Sequence, residues 1–322
     1  MAVQFILLTL ALLMLELLYF RIATKFRIID RPNDRSSHSS PTIRGGGIIF
    51  LLAVLIWFVD QNFKWPWLVI GVSLVAIISF LDDLNPHPAG LRFLIHLAAG
   101  LMMFYQVPLF DWSWWLIFLA LIVCIGSLSA FNFMDGINGI TGVYALVSLG
   151  SFACINYFVI GFTDSTLITV LVLAVVIFLF FNFRKKAICF AGDVGSITIA
   201  FVQIFFLLQL IHKTNNFYWV LIFLVYGLDS VVTILYRIKN KENIFKAHRT
   251  HLYQYLVNEL RLSHLSVSLL YGVVQLVINM VLIFSFTSGS MLAIYGMVLL
   301  VIILYLLTRR TVLVRMKLQI DK

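Results

Sequence analysis

The chain has 322 residues, 62% of them hydrophobic and only 11% charged, with a formal net charge of +9 and a mean hydropathy of +1.02. So few charges cannot cover the surface of a water-soluble domain, and apolar runs of membrane length read as helices crossing a bilayer. The basic surplus does not by itself point to nucleic acid, because its placement along the chain follows membrane topology.

Eleven apolar stretches succeed one another, at roughly 3–20, 46–59, 65–81, 92–109, 112–131, 142–160, 164–182, 195–211, 217–236, 265–287 and 289–308. Backbone polar groups have no partner in hydrocarbon, so the predicted spans are helices and the fold class is all-α. Barrel strands would be about ten residues long and alternate in polarity, unlike these continuous runs. The first stretch carries Glu16 and lacks a basic leader and a small-residue cleavage site, so it reads as a retained span. The second is short and is expected to begin within the glycines at 45–47. With eleven crossings, the loops after odd-numbered spans share one side. Of the 23 Lys and Arg residues, only Lys64 and Lys213 fall on the other side. Positive charge marks the cytoplasmic face, which predicts an outside N-terminus and an inside C-terminus. Cys124, Cys154 and Cys189 lie in or near spans without paired spacing, which argues against a disulfide framework. No linker or repeat is visible, so residues 1–322 read as a single membrane-embedded domain.

The predicted outside connections are short and bland. The cytoplasmic ones hold the chemistry: "RPNDRSSHSSPTIRGGG", "DDLNPHPAGLRF", "NFMDGINGITG", "FRKKAICFAGDVGS" and "HRTHLYQYLVNELR". Asp82 and Asp83 end the third span, where two adjacent carboxylates repel and oppose the helix dipole. A solvated helix end is the plain alternative. Asp193 in "GDVGS" opens the eighth span, as an ordinary cap or as a group beside a bound phosphate or metal. In "HRTH", His248 and His251 are three apart and would share a face if helical, with Arg249 between them. They read as a phosphate clamp or as a solvated interfacial loop. The three glycines of "SSPTIRGGG" suggest either a flexible nucleotide-contacting loop or a turn before the second span. His38, His87, His96, His212 and His264 have no such partners and read as structural. Glu16 and Asp229 lie inside spans, where ionisable groups are costly. Both sit near the cytoplasmic end, where they reach water, and neither is placed in the site. Asp82, Asp83, Asp135 and Asp193, with Asn132 and Asn138, form a hard oxygen set suited to Mg²⁺ or Mn²⁺. Acids for a metal interleaved with bases for phosphate suit a phosphoryl-transfer site.

Together "SSPTIRGGG", "FLDDL" with the following "RF", "NFMDGINGITG", "NFRKKAICFAGDVGS" and "HRTHLYQYL" resemble the polyprenyl-phosphate N-acetylhexosamine-1-phosphate transferases, in that family's order over nearly the whole chain. The resemblance implies ten or eleven helices with the active site at the cytoplasmic face of a bacterial inner membrane. It implies transfer of a HexNAc-1-phosphate from a UDP-N-acetylhexosamine to undecaprenyl phosphate, with UMP released, as the first step of an O-antigen, capsule or similar chain. By the same resemblance, Asp193 and Asn132 are expected at Mg²⁺, with Mn²⁺ an alternative. Asp82, Asp83, Asp135, His248 and His251 are expected as catalytic residues. Arg44, Arg92, Asn138, Asn182, Phe190 and Arg249 are expected to bind substrate, with Phe190 stacking on uracil. Two departures stand out. Asn138 occupies a position where relatives often carry Asp, and the loop at 248–251 reads His-Arg-Thr-His instead of a triple histidine. The expected partners are donor, acceptor and lipid bilayer, without nucleic acid and with a homodimer left open. The competing class is a transporter of nucleotide sugars or lipid-linked sugars. It explains the helices but not an Asp-rich set confined to one face, and a scaffold would show no metal dependence.

Overall fold

The computed structural model describes residues 2–30, 41–243 and 248–320. His38 and the start of the first polar loop lie outside the described residues. The chain begins with helix α1 (Ala2–Lys25), then strand β1 (Ile29–Asp30), which pairs antiparallel with β2 (Thr42–Ile43). The helices α2 (Ile48–Asp60), α3 (Pro66–Leu84), α4 (Ala89–Gln106), α5 (Trp114–Met134), α6 (Ile140–Phe158), α7 (Ser165–Asn182) and α8 (Gly192–Thr214) follow. A 3-10 helix (Phe217–Phe223) then runs into α9 (Leu224–Lys239), and α10 (Leu252–Asn258), α11 (His264–Ser288) and α12 (Leu292–Ile320) complete the fold.

All eleven predicted stretches fall on helices. Nine helical segments among the described residues are long and apolar enough to cross a membrane, and the chain is a multi-pass membrane protein. The other two stretches are α2, with 13 residues, and α4, whose apolar run is interrupted by Arg92 and His96. Two features differ from the sequence expectation. The stretch at 217–236 is not one α-helix, because its first seven residues are 3-10. Gln275, from α11, accommodates this change of winding by donating to the Leu221 carbonyl (3.0 Å) and accepting from the Val225 N–H (2.9 Å). Those backbone groups would otherwise lie unpaired in an apolar interior. The short α10 is the other addition, with Leu252, Tyr253, Tyr255, Leu256 and Val257 of its seven residues buried.

Helix α8 is the axis of the molecule. Every residue from Val194 to Ile211 is buried, as expected for a helix that is apolar all round and surrounded by others. Its first turn can sit centrally because Gly195 meets Gly47 backbone to backbone. A Cβ on Gly195 would stand 2.6 Å from the Gly47 Cα. The Gly46 and Gly47 N–H groups donate to the Phe190 and Ala191 carbonyls at 2.8 and 3.1 Å. The glycines at 45–47 are therefore a close-packed seam against the α8 entrance.

Candidate functional site

The site is built around the first turn of α8. Asp193 lies inside that turn and does not cap it. The cap comes from another helix. Asp83, at the C-terminal end of α3, accepts from the backbone N–H groups of Asp193 and Val194, both at 3.1 Å. The adverse carboxylate at the end of one helix is thereby set against the positive end of another. Gly192 makes the approach possible, with φ of +70° and no side chain where a Cβ would lie 2.6 Å from Asp83 Oδ2. The Asp83 side chain is fully buried, and Arg44 Nε lies 3.0 Å from its Oδ1. Arg44 also donates from Nη1 to the Asp83 carbonyl (2.9 Å), while its own carbonyl accepts from the Tyr19 hydroxyl at 2.6 Å. Asp82 points elsewhere. It accepts from Arg92 Nη1 (2.7 Å) and from the His87 N–H (2.6 Å). Each member of the Asp pair thus holds one arginine, and both guanidinium groups stay about a third exposed.

Asn132 and Asp135 come from the end of α5. Asn132 hydrogen-bonds the Asp193 carboxylate, and its Oδ1 accepts from the Ser196 hydroxyl at 3.2 Å. In this arrangement its amide N–H₂ supports Asp193. Asp135 accepts from the Thr141 hydroxyl at 2.5 Å. Burial, reinforced by the nearby Asp193 charge and opposed by the Thr141 bond and Arg44, pushes its carboxyl up to about 7. A carboxyl so destabilised in its charged form is the environment into which a cation fits. Among the described residues, no group of three or more His, Cys, Asp or Glu side chains could hold a metal. That donor set still fits Mg²⁺, which takes one or two protein carboxylates and completes its shell with water and substrate phosphates.

Asn138 and Asn182 are buried tethers behind this face. The Asn138 amide donates to the Arg184 and Lys185 carbonyls at 2.8 and 3.3 Å. Asn182 accepts from the Gly139 N–H (2.7 Å) and donates to the Cys189 carbonyl (2.8 Å). The two amides lock the 132–142 and 183–196 loops together. Phe190 is half-buried on the second of these loops, with its backbone bonded to Ile43 and Gly46.

Residues 248–250 are not helical, and His251 is the N-cap of α10. The two histidines nevertheless meet, because the extended backbone at His251 turns its ring back, and their centroids lie 5.0 Å apart in a stack. Both rings also lie against Phe133, next to Asn132, and the Tyr253 hydroxyl donates to the Phe133 carbonyl at 2.9 Å. Burial, with help from His251 and Arg237, pulls His248 down to about 4. Arg249 is half-buried beside them. Asp229, left outside the site in the sequence reading, faces His251 with its Oδ1 3.3 Å from Nδ1. The signal was available, since an ionisable residue inside a span is a functional candidate by default. Its helical position gave no hint of its partner.

An apolar groove of about 670 Å³ lies between α5 and α9; Ile122, Phe133, Val231, Ile234 and His248 are among its walls.

Residues 65–211 match the sequence model of glycosyl transferase family 4. The chain is 26% identical over 275 residues to the "Probable undecaprenyl-phosphate N-acetylglucosaminyl 1-phosphate transferase" of Bacillus subtilis, covering 79% of this chain and 76% of that one. It is 23% identical over 260 residues to the "Undecaprenyl-phosphate alpha-N-acetylglucosaminyl 1-phosphate transferase" of Escherichia coli, covering 74% and 71% of the two chains. It is 29% identical over 215 residues to the "Phospho-N-acetylmuramoyl-pentapeptide-transferase" of Thermotoga maritima, covering 61% and 68%. The family match spans Asp82, Asp83, Asn132, Asp135, Asn182, Phe190 and Asp193. It stops short of Arg44 on one side and of the histidine loop on the other.

Proposed function

The chain belongs to the superfamily of polyprenyl-phosphate N-acetylhexosamine-1-phosphate transferases, and from that premise we propose that it moves a HexNAc-1-phosphate from a UDP-sugar to undecaprenyl phosphate and releases UMP. The carrying observation is the convergence of Asp193, Asn132, Asp135, Arg44 and the histidine pair on one end of the bundle, with an apolar groove that has His248 in its wall. In this reading the acceptor's isoprenoid tail lies in the groove between α5 and α9, which brings its phosphate to the histidines at a fixed depth. An acceptor phosphate oxygen attacks the phosphorus that bears the sugar. A new P–O bond forms there as the bond to UMP breaks, and no proton need be removed from the nucleophile.

The obstacle is repulsion between two anions, so positioning and charge neutralisation account for most of the catalysis. Arg44, Arg92 and Arg249 supply positive charge, and the Asp82 and Asp83 carboxylates fix the first two of these guanidinium groups. Asp83 also orients the first turn of α8, and with it Asp193. Mg²⁺, or Mn²⁺ in its place, would be held by Asp193 with support from Asn132 and Asp135, and when bound it would neutralise the donor diphosphate. Phe190 is assigned to the uracil, and the face carrying the site to the cytoplasm of a bacterial inner membrane. The GlcNAc named in the relatives makes UDP-GlcNAc the first donor to test, and O-antigen or capsule initiation the proposed role. The test is UMP release by purified protein from a panel of UDP-sugars with undecaprenyl phosphate and Mg²⁺. Turnover with one UDP-N-acetylhexosamine is expected. No release with any donor, or movement of intact UDP-sugar across proteoliposomes, would favour the transporter reading.

A further inference from the structure

Asp229 is fully buried in α9. A lone carboxylate in that position costs several kcal/mol unless donors surround it. Four donors besides His251 do so: the Tyr271 hydroxyl at 2.7 Å, the Leu252 N–H and the Tyr305 hydroxyl at 3.0 Å, and the Thr233 hydroxyl at 3.3 Å. They come from α9, α10, α11 and α12, so elements far apart in the chain meet on one carboxylate. Helix α12 is mostly exposed to the surroundings of the bundle, with 17% of its apolar window buried. Its Arg309 is nevertheless buried. Arg309 donates from Nη1 to the hydroxyl oxygens of Thr233 (3.0 Å) and Tyr305 (3.1 Å), and from Nη2 to the Thr250 carbonyl at 3.0 Å. The last of these bonds lands one residue before His251.

His251 Nδ1 stands between the Asp229 carboxylate and the Gln254 backbone N–H. It can donate to the first or accept from the second. The Gln254 N–H already has the His251 carbonyl at 3.1 Å, and Asp229 is an acceptor for every neighbour it touches. An unprotonated Nδ1 would set its lone pair against the carboxylate 3.3 Å away, so the contact is favourable only if Nδ1 carries a proton and gives it to Asp229. The opposite nitrogen, Nε2, is buried and has no hydrogen-bond partner among the described residues. The ring is clamped between His248, Phe133 and Tyr253, so it has little freedom to turn over.

We propose that Asp229 is the positioning residue of His251: it holds the Nδ1 proton and the ring plane so that Nε2 is presented to a phosphate oxygen of the substrate, and Tyr305 and Arg309 of the last helix fix this pair. Which imidazole nitrogen is available is set by the bond that the other one makes. The whole cluster lies outside the stretch matched by the family model. The inference rests on the proposed transfer reaction only for its kinetic readout.

The test is a double-mutant cycle on the purified full chain, with Asp229→Asn, His251→Ala and the double variant followed by UMP release. Loss of a carboxylate that orients a histidine costs about 10- to 100-fold in activity in comparable sites. The expected result is a fall of that size in kcat for Asp229→Asn, with the donor KM little changed. In the His251→Ala background the same substitution should cost nothing further, because it acts through that ring. An equal loss in both backgrounds would overturn the proposal and leave Asp229 a general packing residue. If Asp229→Asn does not yield folded protein, Tyr305→Phe runs through the same cycle with the same two outcomes. A readout independent of turnover is the ¹⁵N spectrum of histidine-labelled protein, with the His251 signals identified by their loss in His251→Ala. Nδ1 should be protonated in the wild type and lose that preference in Asp229→Asn. An unprotonated Nδ1 in the wild type would sink the pairing. If the wild type releases no UMP, the transfer reading falls, and the spectrum still decides the role of Asp229.

Discussion

Replacing Asp83 with Asn separates two roles that a carboxylate beside a reacting phosphate can have. The wild-type side chain is fully buried and accepts from the N–H groups of Asp193 and Val194 on separate oxygens, with Arg44 on the first of them. An Asn keeps one acceptor oxygen. Its N–H₂ must then face either a backbone N–H or the Arg44 guanidinium, donor against donor, and the charge that favours the α8 N-terminus is lost. One hydrogen bond to a charged group is worth about 1.5–3 kcal/mol, and leaving a buried donor unmet adds about 1–3, so a total of about 2.5–6 kcal/mol is expected. If that strain is relieved by moving the first turn of α8, the loss in kcat is about 70- to 25,000-fold at 1.36 kcal/mol per decade. Because Asp193 moves with the turn, the apparent Mg²⁺ constant should weaken, and because a helix end is loosened, Tm in detergent should fall. The assay is UMP release against Mg²⁺ concentration, with thermal unfolding on the same preparation. A fall in kcat alone, with Tm and the Mg²⁺ constant unchanged, would refute the capping argument and leave Asp83 a residue that acts on the reacting groups directly.

Asp193→Asn should abolish transfer while the protein still inserts and purifies normally; chelation of divalent ions should do the same to the wild type and be reversed by Mg²⁺, and near-normal turnover of the variant at ordinary Mg²⁺ would remove it as the metal ligand. Gly195→Ala puts a methyl group 2.6 Å from the Gly47 backbone, where no side chain can yield, so a loss of about 3 kcal/mol or more is expected, read as aggregation on size exclusion or a large drop in Tm. His248 is pulled from 6.5 to about 4 by burial; since the folded state resists its protonation, stability should fall as pH drops from 6.5 towards 4, and His248→Gln should flatten that acid limb. The one-sided charge predicts that a cysteine placed near Thr214 is labelled from outside intact cells and one near Lys241 is not, with the reverse pattern overturning the cytoplasmic assignment.

The positions of the apolar helices were legible in the amino-acid order, because burying apolar surface in a bilayer is additive along a run of residues and needs no knowledge of neighbours. The same holds for the separation of polar loops onto one face, since the charge of each loop is a local property. Even the candidate set of Asp, Asn, Arg and His residues followed from which types cluster in those loops. What each of them does depends on partners far away in sequence, and that was decided only by the packing. Asp83 and Asp193 are 110 positions apart, and nothing local to "LDDL" says that one carboxylate caps a distant helix while the other grips Arg92. Asn138 and Asn182 sit in polar loops like the others, yet their amides are turned to backbone carbonyls and N–H groups that only the docked loops bring near. The three glycines before α2 read in sequence as either a flexible loop or a turn and became a packed seam once α8 lay against them. Asp229, set aside because a place near the cytoplasmic end of a span lets such groups reach water, is fully buried and finds its partners in His251, 22 residues on, and Tyr305, 76 residues on. Hydropathy sums over consecutive residues, whereas a hydrogen bond belongs to a pair of atoms, and the pairs are fixed only when the helices have closed around α8.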